Sequence, residues 1–445
     1  MEKKWEELSS DEKQEEMFQK WLSPPGIEFA SPQAKKAYKE RITRIKAAIQ
    51  LKKLPDRVPV FLIPSFAPAA YSGMTPQEVM YDYDKCYKAW KKFYLDFDAD
   101  EHGGCVPPGP GRFFDILDFR LYAWPGHGVS PNHTYQCLEG EYMKADEYDA
   151  FIEDPSNFYS NVYLPRIFGA LEPFTQLPNL PRITEIYGIG YSFIPYGLPA
   201  VQAAYKALLE AGSEALKWVG VMGAFEKEMT ELGYPHVLPA FTKAPFDVIG
   251  DTLRGTKGIM LDMYRQPDKL LEAMEAITPL WIKSVTSVAK MIGNPMVFVP
   301  LHKGADGFLS DKQFKTFYWP TFRKVLMGLI DEGCIPFCFV EGSYNTRLEV
   351  IRDLPKGKVI WLFDLTDMAK AKETLGDVAC IGGGMPLSLL TIGTPQQVKD
   401  YAKKLIDTAG KGGGYIMSNG AFFDNVKPEN LKAMVDFTKE YGVYK

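Results

Sequence analysis

From residue 296 onward the chain alternates between two rhythms of apolar and polar positions. Short, mostly apolar runs at Met296 to Leu301, Ile335 to Val340, Lys358 to Phe363, Val378 to Ile381 and Tyr415 to Met417 predict buried strands. Each is followed by a stretch in which apolar residues recur at helical spacing, the stripe of a helix that buries one face. The helix after Gly393 is sharply punctuated: Thr394 can cap it, Pro395 takes the first helical position, and Gln397 can reach back to the cap. Val398, Tyr401, Ala402, Leu405, Ile406 and Ala409 form its stripe, and Gly410 stops it. Ser310 and Gln313 open another helix in the same way, with Phe314, Phe317, Tyr318, Phe322, Val325, Leu326 and Leu329 on its inner face and Gly333 at its end. A third begins at Pro428-Glu429-Asn430.

Strands alternating with helices predict βαβ units and a parallel sheet. Four consecutive units, with the apolar run from Pro59 as a natural first strand, favour a closed α/β fold, a (β/α)8 TIM barrel, over an open sheet. Gly188-Ile189-Gly190 lacks the third glycine of a dinucleotide fingerprint and reads as a turn. Residues 1–55, rich in Lys and Glu and broken by Pro24-Pro25-Gly26, read as an N-terminal helical arm on the barrel domain of residues 56–445. Residues from about 100 to 150 are crowded with Gly, Pro and aromatic residues, with His102, Cys105, His127 and His133 among them, and read as a long inserted lid.

Composition narrows the function. A net charge of −5 without a basic cluster argues against nucleic acid as a partner. No apolar run is long enough for a membrane span and the start of the chain has no signal-like core, so a cytoplasmic protein is expected. The six cysteines are too scattered for a disulfide framework.

Barrel enzymes carry their chemistry at the C-terminal ends of the strands, which directs attention to three residues. His302 follows the strand Met296 to Leu301, Glu341 follows Ile335 to Val340, and Asp364 follows Phe363. Glu341 and His302 are the candidate acid-base or metal-ligating pair, and Asp364 either orients them or caps the next helix together with Asp367. Cys380 could complete a mixed metal site, or be a small buried hydrophobe. Cys334 precedes its strand and Cys338 sits inside it, so the two cannot converge on one metal. The glycine triplets at Gly382 to Gly384 and Gly412 to Gly414 read as tight turns at barrel ends.

Several blocks carry a family resemblance: Glu40-Arg41-Ile42 through Pro55-Asp56-Arg57-Val58-Pro59-Val60, then Ala244-Pro245-Phe246 with Arg254-Gly255, Asp262-Met263 and Pro267, and finally Gly393-Thr394-Pro395 with Gly412-Gly413-Gly414-Tyr415-Ile416. Together they resemble the uroporphyrinogen decarboxylase superfamily from about residue 40 onward. Porphyrinogen decarboxylases carry an arginine-rich segment near the first strand, whereas Ile63 to Tyr71 holds no arginine. The chain is more similar to the corrinoid-dependent methyltransferase branch. Thiol-activating members of that branch carry a His-x-Cys-Gly and a late cysteine, but here the matching places read Phe339-Val340-Glu341-Gly342 and Ser418-Asn419-Gly420-Ala421. What remains resembles the substrate methyltransferase of anaerobic aryl O-demethylases. The resemblance implies methyl transfer from a methoxylated aromatic, a small aromatic methyl ether, to cobalamin carried by a partner corrinoid protein. It also implies a zinc ion or a proton donor at the ether oxygen, with Glu341, His302 and Cys380 as candidate metal ligands and Phe246, Tyr191 and Asn419 as candidate substrate contacts. A homodimer is compatible with it. The alternative is a decarboxylase or lyase of the same superfamily acting on a non-porphyrin acid.

Overall fold

The structure, a computed structural model, describes residues 3–105, 108–179 and 185–445. Its strands in chain order are β1 (Val60–Phe61), β2 (Tyr122–Pro125), β3 (Gly128–Val129), β4 (Gln136–Cys137), β5 (Met296–Leu301), β6 (Ile335–Val340), β7 (Ile360–Phe363), β8 (Cys380–Gly383) and β9 (Tyr415–Ser418). Six of them form one parallel sheet in the order β1-β9-β8-β7-β6-β5, and β3-β2-β4 form a small second sheet. The expected eight regular barrel strands are thus six among the described residues.

Two irregular segments lie between the edges of the large sheet. Asp100 N donates to Val60 O at 2.9 Å, His102 N to Pro235 O at 3.0 Å, and Val237 N to His102 O at 3.1 Å. Phe298 N in turn donates to Ala240 O at 2.8 Å, and Thr242 N to Phe298 O at 3.0 Å. Hydrogen bonds therefore lead from β1 round to β5, and the sheet curls on itself. Neither segment is a regular strand for a local reason. The first is the polar run Asp98 to His102, and the second carries Pro235 and Pro239, which have no N–H to give a ladder.

The predicted strands at Met296–Leu301 and Ile335–Val340 match β5 and β6 residue for residue. β7 and β8 start two residues later than expected, and β1 is only two residues long. Gly382 and Gly383 belong to β8 rather than to a turn. Gly383 has φ +81°, and a Cβ there would stand 2.3 Å from Phe363 O, so only glycine lets β8 lie this close to β7. The capping boxes at Thr394/Gln397 and Ser310/Gln313 both form. The second helix is interrupted by a π turn, Phe314–Tyr318, before it continues as Trp319–Asp331, with Pro320 near its start.

Alternation along the strands sorts side chains into two cores. Phe298, Phe337, Phe339, Ile360, Leu362, Ile416, Phe61 and Ile63 share one cluster, while Val297, Val299, Leu301, Cys338, Val340 and Trp361 pack outward against the helices. The arm forms helices Ser10–Leu22 and Pro32–Gln50, and its Phe18, Trp21, Tyr38, Ile42, Ile45 and Ile49 join the inner cluster. Arg44 and Arg57 lock this junction: both pair at 2.7 Å with the buried Asp100, which also accepts from Val60 N at 2.8 Å.

Candidate active site

Parallel register brings the ends of three strands level. Leu301 pairs with Val340, and Val340 with Phe363, so His302, Glu341 and Asp364 emerge side by side. By the same alternation they continue the phase of Phe298, Phe339 and Leu362, above the inner core. Rings of Phe298, Phe339 and Phe422 lie beneath them, with centroids 4.9 to 6.1 Å apart.

The polar groups above this floor form one network. His302 Nδ1 lies 2.6 Å from Asp251 Oδ2, and its Nε2 lies 3.8 Å from Glu341 Oε1. Asp251 also pairs with Lys303 Nζ at 3.0 Å and with Lys243. Burial works against the imidazolium of His302, but the bond to Asp251 and the charges of Asp251 and Asp247 outweigh it and raise the His302 pKa. Burial alone would raise Asp251 as well. The His302 bond and the cationic Lys243, His302 and Lys303 instead hold its carboxyl well below the usual range. Glu341 is raised, first by burial and then by the charges of Asp247, Asp251 and Asp364, with His302 pulling the other way. Asp364, raised by burial, accepts from Gly342 N at 3.3 Å, while Asp367 caps the following helix by itself.

Asp247 and Asp251 supply the support, and both come from the Ala244-Pro245-Phe246 block. Helix Pro245–Val248 runs into a π turn, Ile249–Leu253, which carries Asp251. Asp247, fully buried, accepts from His302 N at 3.1 Å, Lys303 N at 2.9 Å and Tyr318 Oη at 2.7 Å, and so clamps the turn after β5. Sequence reasoning took Phe246 from this block and missed its two carboxylates. Their i, i+4 spacing in an otherwise apolar stretch was the available signal.

The other expected site residues lie apart from the network. Cys380 is fully buried in the inner core, in register with Ile360 and Phe337. That level is four residues below Glu341, about 13 Å along the strand, and burial pushes its thiol up to about 12. Phe246 is core, packed on Tyr318 at 5.7 Å. Asn419 is buried and joins β9 to β1, donating to Ile63 O and accepting from Ile63 N, both at 3.1 Å. Tyr191 is exposed on the short helix Ile189–Ser192. A zinc ion held by Glu341, His302 and Cys380 does not fit this arrangement. Cys380 is at the wrong depth, His302 Nδ1 is committed to Asp251, and among the described residues no three His, Cys, Asp or Glu side chains are grouped to hold a metal.

A cavity of about 250 Å³ is lined by Met80, Gly109, Phe114, Phe119, Tyr122, Trp124 and Tyr135. It belongs to the insertion, where β2 and β4 pair antiparallel and set Tyr122 and Tyr135 edge to face at 5.6 Å. Tyr135 also touches Phe66, just beyond β1, at 6.1 Å. Its phenol is pushed up to about 12, chiefly by burial and then by the carboxylates of Asp424 and Glu341. Tyr122 is raised by burial, with Cys137, Tyr135 and Asp251 adding to it. These two tyrosines line the slot and lie within electrostatic reach of the Asp251 and Glu341 carboxylates.

A curled parallel sheet, polar groups gathered at its C-terminal edge and an aromatic lid define an α/β protein of the kind that places its chemistry at the strand ends. The chain belongs to the uroporphyrinogen decarboxylase (URO-D) family, whose model matches residues 196–441. Among curated relatives it is 37% identical over 137 residues to the uroporphyrinogen decarboxylase of Chlorobium phaeovibrioides and 36% identical over 187 residues to that of Chlorobaculum tepidum. These alignments cover 30% and 40% of this chain and 38% and 51% of those proteins. The chain thus spans about half the length, or less, of the relatives it matches. Among solved structures its fold is similar to a methyltransferase from Methanosarcina mazei, with a TM-score of 0.59, 15% identity, and coverage of 90% of this chain and 98% of the other. No described helix is long and apolar enough to cross a membrane.

Proposed function

We propose that the protein is a methyltransferase that removes the methyl group of a methoxylated aromatic and passes it to the cobalt(I) of a corrinoid protein. The observation that carries this reading is an aromatic slot of about 250 Å³ whose Tyr122 and Tyr135 lie within electrostatic reach of Asp251 and Glu341. Ring stacking in such a slot orients a flat donor and excludes water. The URO-D family membership and the fold shared with a methyltransferase support it.

The chemistry divides as follows. The methyl acceptor, cobalt(I) of the partner, would supply the electron pair for the new carbon bond. The O–CH3 bond breaks, its electrons stay on oxygen, and the departing phenolate needs a proton. His302 would give it, a role supported by Asp251 holding Nδ1 and favouring the imidazolium while Nε2 faces Glu341. Glu341, itself raised, shares and returns the proton. Lys243 and Lys303 neutralise Asp251 so that it orients His302 without accepting the proton outright.

Purified protein mixed with chemically reduced cobalamin and a panel of methoxybenzenes tests the reading, with metal content measured alongside. Appearance of the methylcobalamin spectrum with release of the phenol is the expected result. No transfer across the panel, even with corrinoid proteins supplied, would overturn it in favour of a lyase acting on a non-porphyrin acid.

A further inference from the structure

The lining of the aromatic slot includes no Lys, Arg, His, Asp or Glu. Neighbouring cations are taken up by carboxylates. Arg120, next to Phe119 in the chain, pairs with Asp118 at 2.7 Å and with Glu172. His127, stacked on Trp124 at 4.6 Å, has Asp115 at 3.2 Å. Lys243, Lys303 and His302 all converge on Asp251. Arg112 stands two residues before Phe114 on helix Gly111–Leu117, about 200° round its axis, and acts on Glu214 and Tyr83 instead. Acidic groups, by contrast, bear on the slot from two sides. At one wall Tyr81 Oη accepts from Trp124 Nε1 at 3.3 Å and donates to Asp115 Oδ1 at 3.0 Å, which uses up the indole N–H and sets a carboxylate behind Tyr81. Elsewhere Glu341 and Asp424 act on Tyr135, and Asp251 acts on Tyr122, each raising the phenol. The side-chain donors left in the lining are the neutral hydroxyls of Tyr122 and Tyr135.

We infer, on the methyl-transfer reading above, that the donor is an uncharged single-ring methyl ether, a methoxybenzene or methoxyphenol, and that methoxybenzoates are refused. A carboxylate entering this slot would give up its hydration without gaining a cation, and would do so in the field of Asp115 on one side and of Glu341 and Asp251 on the other. A phenol, ether or amide oxygen has far less hydration to lose, and one tyrosine O–H satisfies it. Size points the same way. At about 250 Å³ the slot is smaller than the roughly 300–1,000 Å³ of pockets for drug-sized ligands, which suits one ring with small substituents. Selection against charge thus comes from what the lining lacks, and the apolar walls that stack on the ring leave nothing to hold an anion.

Two ring compounds of one shape and different charge test the inference: 3-methoxybenzamide and 3-methoxybenzoate at pH 7, titrated into the full chain by calorimetry and then supplied together with reduced cobalamin. The amide should bind at least a hundredfold more tightly, and its kcat/KM for methyl transfer should exceed the benzoate's by a similar factor. Met80→Lys, with the fold checked by circular dichroism, puts an ammonium into the lining and should bring the benzoate to within tenfold of the amide. Equal binding of the pair by the wild-type chain, tighter binding of the benzoate, no binding of either, or a folded Met80→Lys variant that gains nothing for the benzoate would each overturn the proposal. Methyl transfer from the benzoate as fast as from the amide would overturn it too, yet leave the transfer reading standing. A hundredfold preference in binding with no transfer from either compound would instead remove the transfer reading and keep the selection of neutral rings.

Discussion

Asp251→Asn is the most informative single change, because it keeps the shape of the side chain and removes one charge from among three cations. Asp251 holds His302 at 2.6 Å and Lys303 at 3.0 Å, and pairs with Lys243. An asparagine can still accept from the imidazole, so the geometry survives, but Lys243, Lys303 and the imidazolium lose their counter-charge. Removing one partner of a buried ionic network costs about 3 kcal/mol. For 445 residues the unfolding entropy is roughly 0.9 kcal/mol/K, so Tm should fall by about 3 °C. The pH dependence has a definite sign. His302 is raised above its ordinary value, so its contribution to stability is complete below about pH 6.5 and is lost as pH rises through the folded value. The variant should lose that slope. Methyl transfer, which needs the protonated imidazole, should fall about 10²-fold at alkaline pH and less at pH 6, with the falling limb of the profile moved toward acid. Imidazole NMR of His302 reads the same quantity without turnover and should titrate lower in the variant. An unchanged His302 titration together with an unchanged pH profile would refute the account of how the network holds its proton.

Glu341→Gln preserves size and removes the second proton carrier; methyl transfer should drop about 10²-fold, and near-full activity in the cobalamin assay would show that Glu341 has no such part. Phe114→Ala opens the aromatic slot and should raise KM for methoxybenzenes about tenfold, the worth of an aromatic contact of about 1.4 kcal/mol, with kcat little altered; a lower apparent kcat with KM unchanged would point to a folding defect instead. Asp100→Asn leaves Arg44 and Arg57 facing a neutral group in the core and should cost about 3–5 kcal/mol, read as a lower urea midpoint and faster proteolysis of the arm. Despite burial, the arginines hold the Asp100 pKa down, so its contribution is present above the ordinary carboxylate value and lost as pH falls through the folded one. The acid limb of stability should therefore flatten in that variant.

The regular half of the fold was legible because its signals are local. Capping boxes at Thr394 and Ser310 and apolar runs at β5 and β6 need no tertiary information to read. The bridging segments at 99–104 and 235–243 were not: the first carries Asp100, Glu101 and two glycines, the second is interrupted by Pro235 and Pro239, and neither has the unbroken apolar run of a buried strand. At the site, His302, Glu341 and Asp364 could be placed by their position after a strand. Asp247 and Asp251 could not, since they reach the site from another unit, one from the short helix Pro245–Val248 and the other from the π turn that follows it. Cys380 misled because nothing in the residue sequence says at which level of a strand a side chain sits; register with Phe337 and Ile360 decides that.

The arm that floors the inner core has a consequence for synthesis. Its Phe18, Trp21, Ile42 and Ile45 leave the ribosome first, yet they rest on Ile360, Leu362 and Ile416, and β1 waits for β9. At about 5–20 residues per second the nascent chain carries that uncovered apolar surface for roughly 20 to 80 seconds before its cover exists. Contacts spanning more than three hundred residues also make closure slow once synthesis ends. The newborn protein should therefore be a natural client for chaperones that hold nascent chains, and its yield in a host should depend on their supply more than on the stability of the finished molecule.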